Sequence, residues 1–196
     1  MENKKVLVIL AHPDSKNSFN GAIAQRTIEA LSAQGYEPVF RDLYAEGFDP
    51  IMTLAETKEP SSAAPLAMQK EMQSVKECAG MVFIHPNWWG APPAILLGWI
   101  DRVLRNGFAY GFTDSGPWQG LSDKLVQVFT TSNTPREYEI SAYGDPLEKF
   151  WGTIVFGVVG SSSFERRNFE QIIMSDDAQR KEWLNDVESI IRRRFI

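Results

Sequence analysis

Residues Met81 to Arg105, MVFIHPNWWGAPPAILLGWIDRVLR, restrict the folds open to this chain more than any other stretch. They open on Met81-Val82-Phe83-Ile84, an unbroken apolar run with the length of a strand buried on both faces. His85-Pro86-Asn87-Trp88-Trp89-Gly90 then reads as a turn, and Pro92 and Pro93 suit the first turn of a helix, where a missing N–H costs little. Ala94, Ile95, Leu97, Trp99, Ile100, Val103 and Leu104 continue with helical spacing, while Asp101, Arg102 and Arg105 supply a polar side. Open α/β sheets are built from such strand-turn-helix units and bind ligands at the carboxyl ends of their strands. Core packing is one reading of Trp88 and Trp89. Consecutive side chains in a turn diverge, however, and one core does not easily bury both, so a flat apolar ligand over the turn is the sharper reading.

The same unit recurs along the chain. Lys5 to Leu10 reads as a first buried strand, and Ala11-His12-Pro13-Asp14-Ser15-Lys16-Asn17-Ser18-Phe19-Asn20 leads into an amphipathic helix through about Gln34. Ser18 is the expected N-cap, and the free N–H groups of the first turn make an anion site. No Gly-x-Gly-x-x-Gly and no P-loop is present, so nothing supports a Rossmann or nucleotide-triphosphatase reading. Pro38 to Leu43 predicts a second strand, Thr53 to Ala64 a polar loop, and Pro65 to Cys78 a helix delivering the chain to the central strand. Asn106 to Thr113 is too rich in glycine for a helix and too aromatic for an ordinary linker, and reads as a loop. Lys124 to Thr131 is the fourth strand, Leu147 to Val159 a helix stopped by Gly160, and Ser163 to Ile173 the last strand. Ser175-Asp176-Asp177 caps a final helix carrying Trp183, Leu184, Val187, Ile190 and Ile191. Alternating strands and helices predict a three-layer α/β fold, a doubly wound sheet in one domain over residues 1–196.

Composition narrows the function classes. A net charge of −5 argues against a nucleic-acid binder, which needs a basic face. The run Arg192-Arg193-Arg194 suits a helix C-terminus favoured by the macrodipole. The lone Cys78 excludes an intramolecular disulfide, suits a reducing compartment, and beside an apolar strand reads as a buried thiol. With no signal peptide or long apolar span visible, a cytoplasmic protein without membrane insertion is the expectation.

The motifs resemble those of the flavodoxin-like NAD(P)H:quinone oxidoreductases, the quinone reductase (DT-diaphorase) branch and its short bacterial relatives. The resemblance rests on Pro86-x-x-Trp89 followed by Pro93-Ala94-Ile95-Leu96-Leu97-Gly98-Trp99-Ile100-Asp101-Arg102-Val103, on Ala11-His12-Pro13 with Ser18-Phe19-Asn20, and on Asp42-Leu43-Tyr44. It covers nearly the whole chain. Leu97, expected on the helix surface, stands where many members have Lys, and Thr130-Thr131-Ser132-Asn133 stands where they have Thr-Thr-Gly-Gly. Asn133 tolerates the positive φ that a glycine turn uses, and Ser132 is harder to accommodate.

This resemblance implies a five-stranded parallel sheet in the order 2-1-3-4-5 and a flavin, FMN with FAD as the alternative, reduced by NADPH or NADH. Its phosphate would lie at His12, Ser18, Phe19 and Asn20, and its ring at Pro86, Asn87, Trp88, Trp89, Gly90, Thr130, Thr131, Ser132 and Asn133. A quinone-like acceptor would meet Trp89, Tyr110 and Phe112, and Tyr138 would be the catalytic residue, stabilising charge on the reduced ring. The branch carries a histidine partner where this chain reads Tyr143-Gly144-Asp145. No metal is implied. A homodimer is expected, with the 48–64 region in its interface. An azo- or nitro-reductase is one alternative, and a regulatory subunit of a membrane transporter of the potassium-efflux type is the other.

Overall fold

The computed structural model describes residues 4–161 and 163–196, so the domain expected over 1–196 takes in four residues outside them. In chain order its elements are β1 (Lys5–Leu10), α1 (Phe19–Ala33), β2 (Glu37–Asp42), α2 (Leu54–Lys58), α3 (Leu66–Glu77), β3 (Gly80–Pro86) and α4 (Ala94–Val103). There follow β4 (Tyr110–Thr113), β5 (Gly116–Gln119), β6 (Leu125–Thr131), α5 (Arg136–Tyr143) and α6 (Pro146–Glu148). A π-helical segment (Lys149–Val155), α7 (Phe156–Val159), β7 (Ser163–Phe169) and α8 (Asp177–Arg194) complete them. Five strands form one sheet in the order β2-β1-β3-β6-β7, every neighbouring pair parallel. With the β4–β5 hairpin set aside, this is the expected 2-1-3-4-5 order.

The apolar strand runs have a simple cause. Side chains alternate across a strand, and here both faces are covered. Leu7, Ile9, Met81, Phe83, Val126 and Val128 point into one core with α3 and α4, where Met72, Val75 and Trp99 meet them. Val6, Val8, Leu10, Val82, Ile84 and Phe129 point into the other, against Ile23 and Leu31 of α1 and Val187 and Ile191 of α8. The parallel connections bring the ends of β1, β3 and β6 side by side. Backbone bonds tie those ends together, Ala11 N–H to Ile84 O at 2.9 Å and Asn87 N–H to Thr131 O at 2.7 Å.

Several expectations are corrected. Residues 53–64 are not all loop: the Thr53 hydroxyl accepts from the Glu56 N–H while Glu56 reaches back to the Thr53 N–H, a capping box that starts α2. This segment covers the supposedly polar side of α4. Arg102 and Arg105 are buried, Arg102 against the Glu56 carboxylate at 3.0 Å and Arg105 on the Glu56 carbonyl. Burial raises the Glu56 carboxyl, but hydrogen bonds from Thr53 and Arg102 outweigh it and hold the group below its ordinary range. His85 and Pro86 extend β3 rather than opening the turn, and the prolines at 92 and 93 precede α4 rather than filling its first turn. Leu97 is half-buried.

Residues 106–113 run into a hairpin, and the helix expected over 147–159 is interrupted by a π-helical segment before Gly160, at φ +94°, stops it. The last strand ends at Phe169, four residues early, because Gln171 adopts φ +53° and the chain turns. Helices α2 and α5 carry no strong apolar periodicity, and neither was expected.

Candidate functional site

At the end of β1 the chain turns into α1 with Ser18 as N-cap, its hydroxyl accepting from the Gly21 N–H at 3.1 Å. The remaining first-turn N–H groups have no helical partner and aim outward. His12 Nδ1 accepts from the Asp14 N–H at 3.0 Å, which leaves Nε2 as the ring nitrogen open to a ligand. Asn20 is buried and donates to the Thr131 hydroxyl at 2.9 Å, tying the start of α1 to the end of β6. Its Oδ1 is buried and has no hydrogen-bond partner among the described residues. Phe19 packs edge-on against Phe169, with centroids 5.8 Å apart, and against Trp183.

These residues border a cavity of ≈ 360 Å³ together with Pro86, Asn87, Trp88, Thr131, Ser132 and Asn133. Arg180 of α8 lines it too, held by one side of its guanidinium to Ser175 Oγ at 2.9 Å and Ile172 O at 3.2 Å. Sequence reasoning missed Arg180. A cation in the first turn of a helix works against the dipole, and that misplacement was a signal available in the sequence.

A second cavity, of ≈ 600 Å³, shares Asn87, Ser132 and Asn133 with the first. Trp89, Gly90, Glu139, Tyr143 and Pro146 border it as well. Trp89 is fully exposed and Trp88 is 43% exposed, so the turn does present its aromatic surface. Glu139 is buried, a second functional candidate the sequence did not announce. Burial raises its carboxyl pKa, only partly countered by Arg166 and Arg136 and by the Asn87 hydrogen bond.

The Ser132-Asn133 departure is resolved by backbone geometry. Among the described residues, only Trp89, Asp145 and Gln171 are non-glycine residues at positive φ, so neither Ser132 nor Asn133 needs a glycine conformation. Their side chains instead fasten the end of β7 and the segment after it. Ser132 Oγ accepts from Asn168 Nδ2 at 3.1 Å, and Asn133 Oδ1 accepts from the Ile173 N–H at 3.3 Å.

Not every predicted residue meets here. Thr130 turns its hydroxyl into the sheet, donating to Asn168 Oδ1 at 2.8 Å, and lines neither cavity. Tyr138 is exposed and stands edge-on to Tyr143, with centroids 5.4 Å apart; Tyr143 is the one on the cavity wall. Hydrogen bonding to Tyr138 raises the Tyr143 phenol. Tyr110 lines a different cavity, of ≈ 560 Å³, with Ile100, Leu104, Ile154 and Val158, and Phe112 is exposed. Within one chain these two do not reach the cleft at the strand ends. The described residues hold no cluster of metal-ligating side chains and no helix long and apolar enough to cross a membrane.

A doubly wound parallel sheet in this order, with an anion-fitting loop after β1 and an aromatic turn after β3, defines a flavodoxin-like protein. The chain matches the family described as having a flavodoxin-like fold over residues 4–191. It is 33% identical over 178 residues to an uncharacterized NAD(P)H oxidoreductase of Haemophilus influenzae, spanning 89% of this chain and 88% of that one. To the ribosyldihydronicotinamide dehydrogenase (quinone) of Homo sapiens it is 36% identical over 182 residues, 80% of this chain and 78% of the relative. The crystal structure of Smu.1420 from Streptococcus mutans UA159 matches with a TM-score of 0.86 at 30% identity, over 96% of this chain and 99% of that one. The chain belongs to the flavodoxin-like NAD(P)H:quinone oxidoreductase family.

Proposed function

We propose that this chain is a flavin-dependent NAD(P)H oxidoreductase that reduces quinones or similar planar acceptors. The observation that carries the reading is the joining of an anion-fitting cavity to an aromatic-rimmed one through Asn87, Ser132 and Asn133. The first offers a helix N-terminus, His12 and Arg180 to a phosphate, and the unpartnered Asn20 Oδ1 suits a hydroxyl of a ribityl chain. The second offers Trp89 to a flat ring. A flavin bound here would supply the redox chemistry, hydride transfer between a reduced nicotinamide and the acceptor.

The protein's part is to bind and orient. His12, Ser18, Phe19, Asn20 and Arg180 hold the phosphate end, while Pro86, Asn87, Trp88, Gly90 and the Thr131-Ser132-Asn133 backbone flank the ring. Tyr143 lines the second cavity with Tyr138 edge-on to it, and a phenol donor there would oppose charge gathering on a reduced ring. Nicotinamide and acceptor use one aromatic face in turn, which makes the kinetics ping-pong. FMN is the expected flavin, with FAD as the alternative.

We read the functional unit as one domain acting in a homodimer. Ile51, Leu54, Leu66, Phe112 and Ile154 are exposed apolar side chains, a surface that a second copy would cover, and Tyr110 and Phe112 would then line the partner's cleft. The test is a visible spectrum of the purified protein before and after anaerobic NADPH, with the released group identified by mass. Flavin bands that bleach are expected, and a protein that neither carries nor takes up FMN or FAD would end this reading.

A further inference from the structure

The backbone bordering the second cavity is strained at the aromatic turn, and the strain has no evident return in packing. Trp88 and Ala91 exchange backbone hydrogen bonds of 3.0 and 3.1 Å, and between them Trp89 and Gly90 have φ of +58° and +75°. Two central residues at positive φ are the mark of a type I′ turn, whose first central position favours Asn, Asp or Gly. A bulky side chain is penalised there by the contact of Cβ with the neighbouring carbonyl. Trp89 recovers nothing by burial, since its side chain is fully exposed. Strain of this kind persists only where the surroundings over-determine it.

The surroundings centre on Asn87. Its N–H donates to Thr131 O at 2.7 Å, its Oδ1 accepts from the Gly90 N–H at 2.9 Å, and its Nδ2 donates to Glu139 Oε1 at 2.6 Å. An amide bonded at one end only is free to rotate; bonded at both ends, it has its oxygen aimed at Gly90. The group at the other end is costly to keep. Glu139 is 1% exposed and, among the described residues, its Oε2 has no hydrogen-bond partner and the nearest cation, Arg136 Nη1, stands 3.7 Å away. A buried carboxyl with half its capacity unmet calls for a reason, and orienting Asn87 is the task its geometry performs.

We propose that Glu139 is a positioning residue that, through Asn87, holds Trp89 and Gly90 in their left-handed conformation and so keeps Trp89 at the cavity for a planar ligand. This rests on the reading of the cavity as the flavin and acceptor site. Asn87 needs an acceptor, not a charge, so Glu139→Gln should preserve the device. Glu139→Met, of similar length but without an acceptor, should break it.

The experiment measures amide hydrogen exchange at Gly90 in the flavin-free protein, and FMN affinity by fluorescence titration, for the wild type and both variants. Glu139→Met should lose tenfold or more of the Gly90 protection and tenfold in FMN affinity, with β1 and β3 amides unchanged. Glu139→Gln should stay within about threefold of the wild type on both. Gly90 protection surviving in Glu139→Met, or lost equally in Glu139→Gln, would overturn the proposal. If Glu139→Met does not fold, Glu139→Ala, which also lacks an acceptor for Asn87, carries the same test, and retained Gly90 protection there overturns it too. Should no form bind FMN, the flavin reading fails and Gly90 exchange alone decides the role of Glu139.

Discussion

Trp151 donates its indole N–H to His85 Nε2 at 3.0 Å, a bond between two side chains that water does not reach. The other ring nitrogen, Nδ1, lies 2.8 Å from Pro86 O and donates to it, so the neutral imidazole is satisfied at both ends. Burial, foremost, and the charge of Arg166 lower the imidazole pKa from 6.5 to about 4, against the Pro86 bond that raises it. The unfolded chain therefore binds the proton first, and stability falls as pH drops through the window from 6.5 to about 4, by about 3 kcal/mol in all. Denaturant unfolding at about pH 7 and about pH 5.5 should show a loss of about 1 kcal/mol that is absent in His85→Gln. Equal pH slopes in the two proteins would remove His85 from the account.

The fold was legible where burial is two-sided, because the short unbroken apolar runs of β1 and β3 have the length and composition of strands covered on both faces. What was not legible came from long-range partners. Arg102 looked like the polar side of a helix and is buried because Glu56, 46 residues away, comes to meet it. The caps at Ser18 and Asp176 are each a local pattern of a few residues, whereas the cap at Thr53 is hidden by the polar stretch around it, which masks a short helix. In the site, the loops after β1, β3 and β6 met as expected. Arg180 and Glu139 enter from α8 and α5, at distances along the chain where no motif connects them to Asn20 or Asn87.

Cys78 should be inert in the native state. It is fully buried, and burial, offset only in part by Lys124 and Lys5, pushes its thiol up to about 11. The thiolate is the reactive form, so a thiol reagent at neutral pH should label the protein only at its rate of opening. Labelling in denaturant should be complete within the same time, and native labelling at a free-thiol rate would contradict the buried placement.

Gly21 should resist replacement although it lies in a helix. A Cβ there would stand 1.9 Å from Ser15 O, a backbone atom of the loop that leads to the start of α1. Alanine ordinarily gains about 0.5–1 kcal/mol over glycine inside a helix, but here the loop must move first. Gly21→Ala is expected to lower the melting temperature and to weaken FMN binding tenfold or more. A stabilised variant with unchanged affinity would show that residues 15–18 yield easily.

Trp89 should trade stability for ligand binding. Its φ of +58° is a conformation in which a bulky L-residue is disfavoured by about 1–2 kcal/mol, and its exposed ring gives nothing back in burial. Asn at this place in a two-residue turn is the common choice. Trp89→Asn should therefore stabilise the protein by up to about 1 kcal/mol, seen as a higher denaturation midpoint at unchanged slope. The same change removes the flat surface at the cavity, so KM for a planar acceptor should rise several-fold while the far-ultraviolet circular dichroism of the fold stays unchanged. Improved stability with unaltered KM would mean that the exposed ring serves something other than this acceptor. Reduced stability would mean that Trp89 makes contacts in solution, as in a dimer, that a single chain does not display.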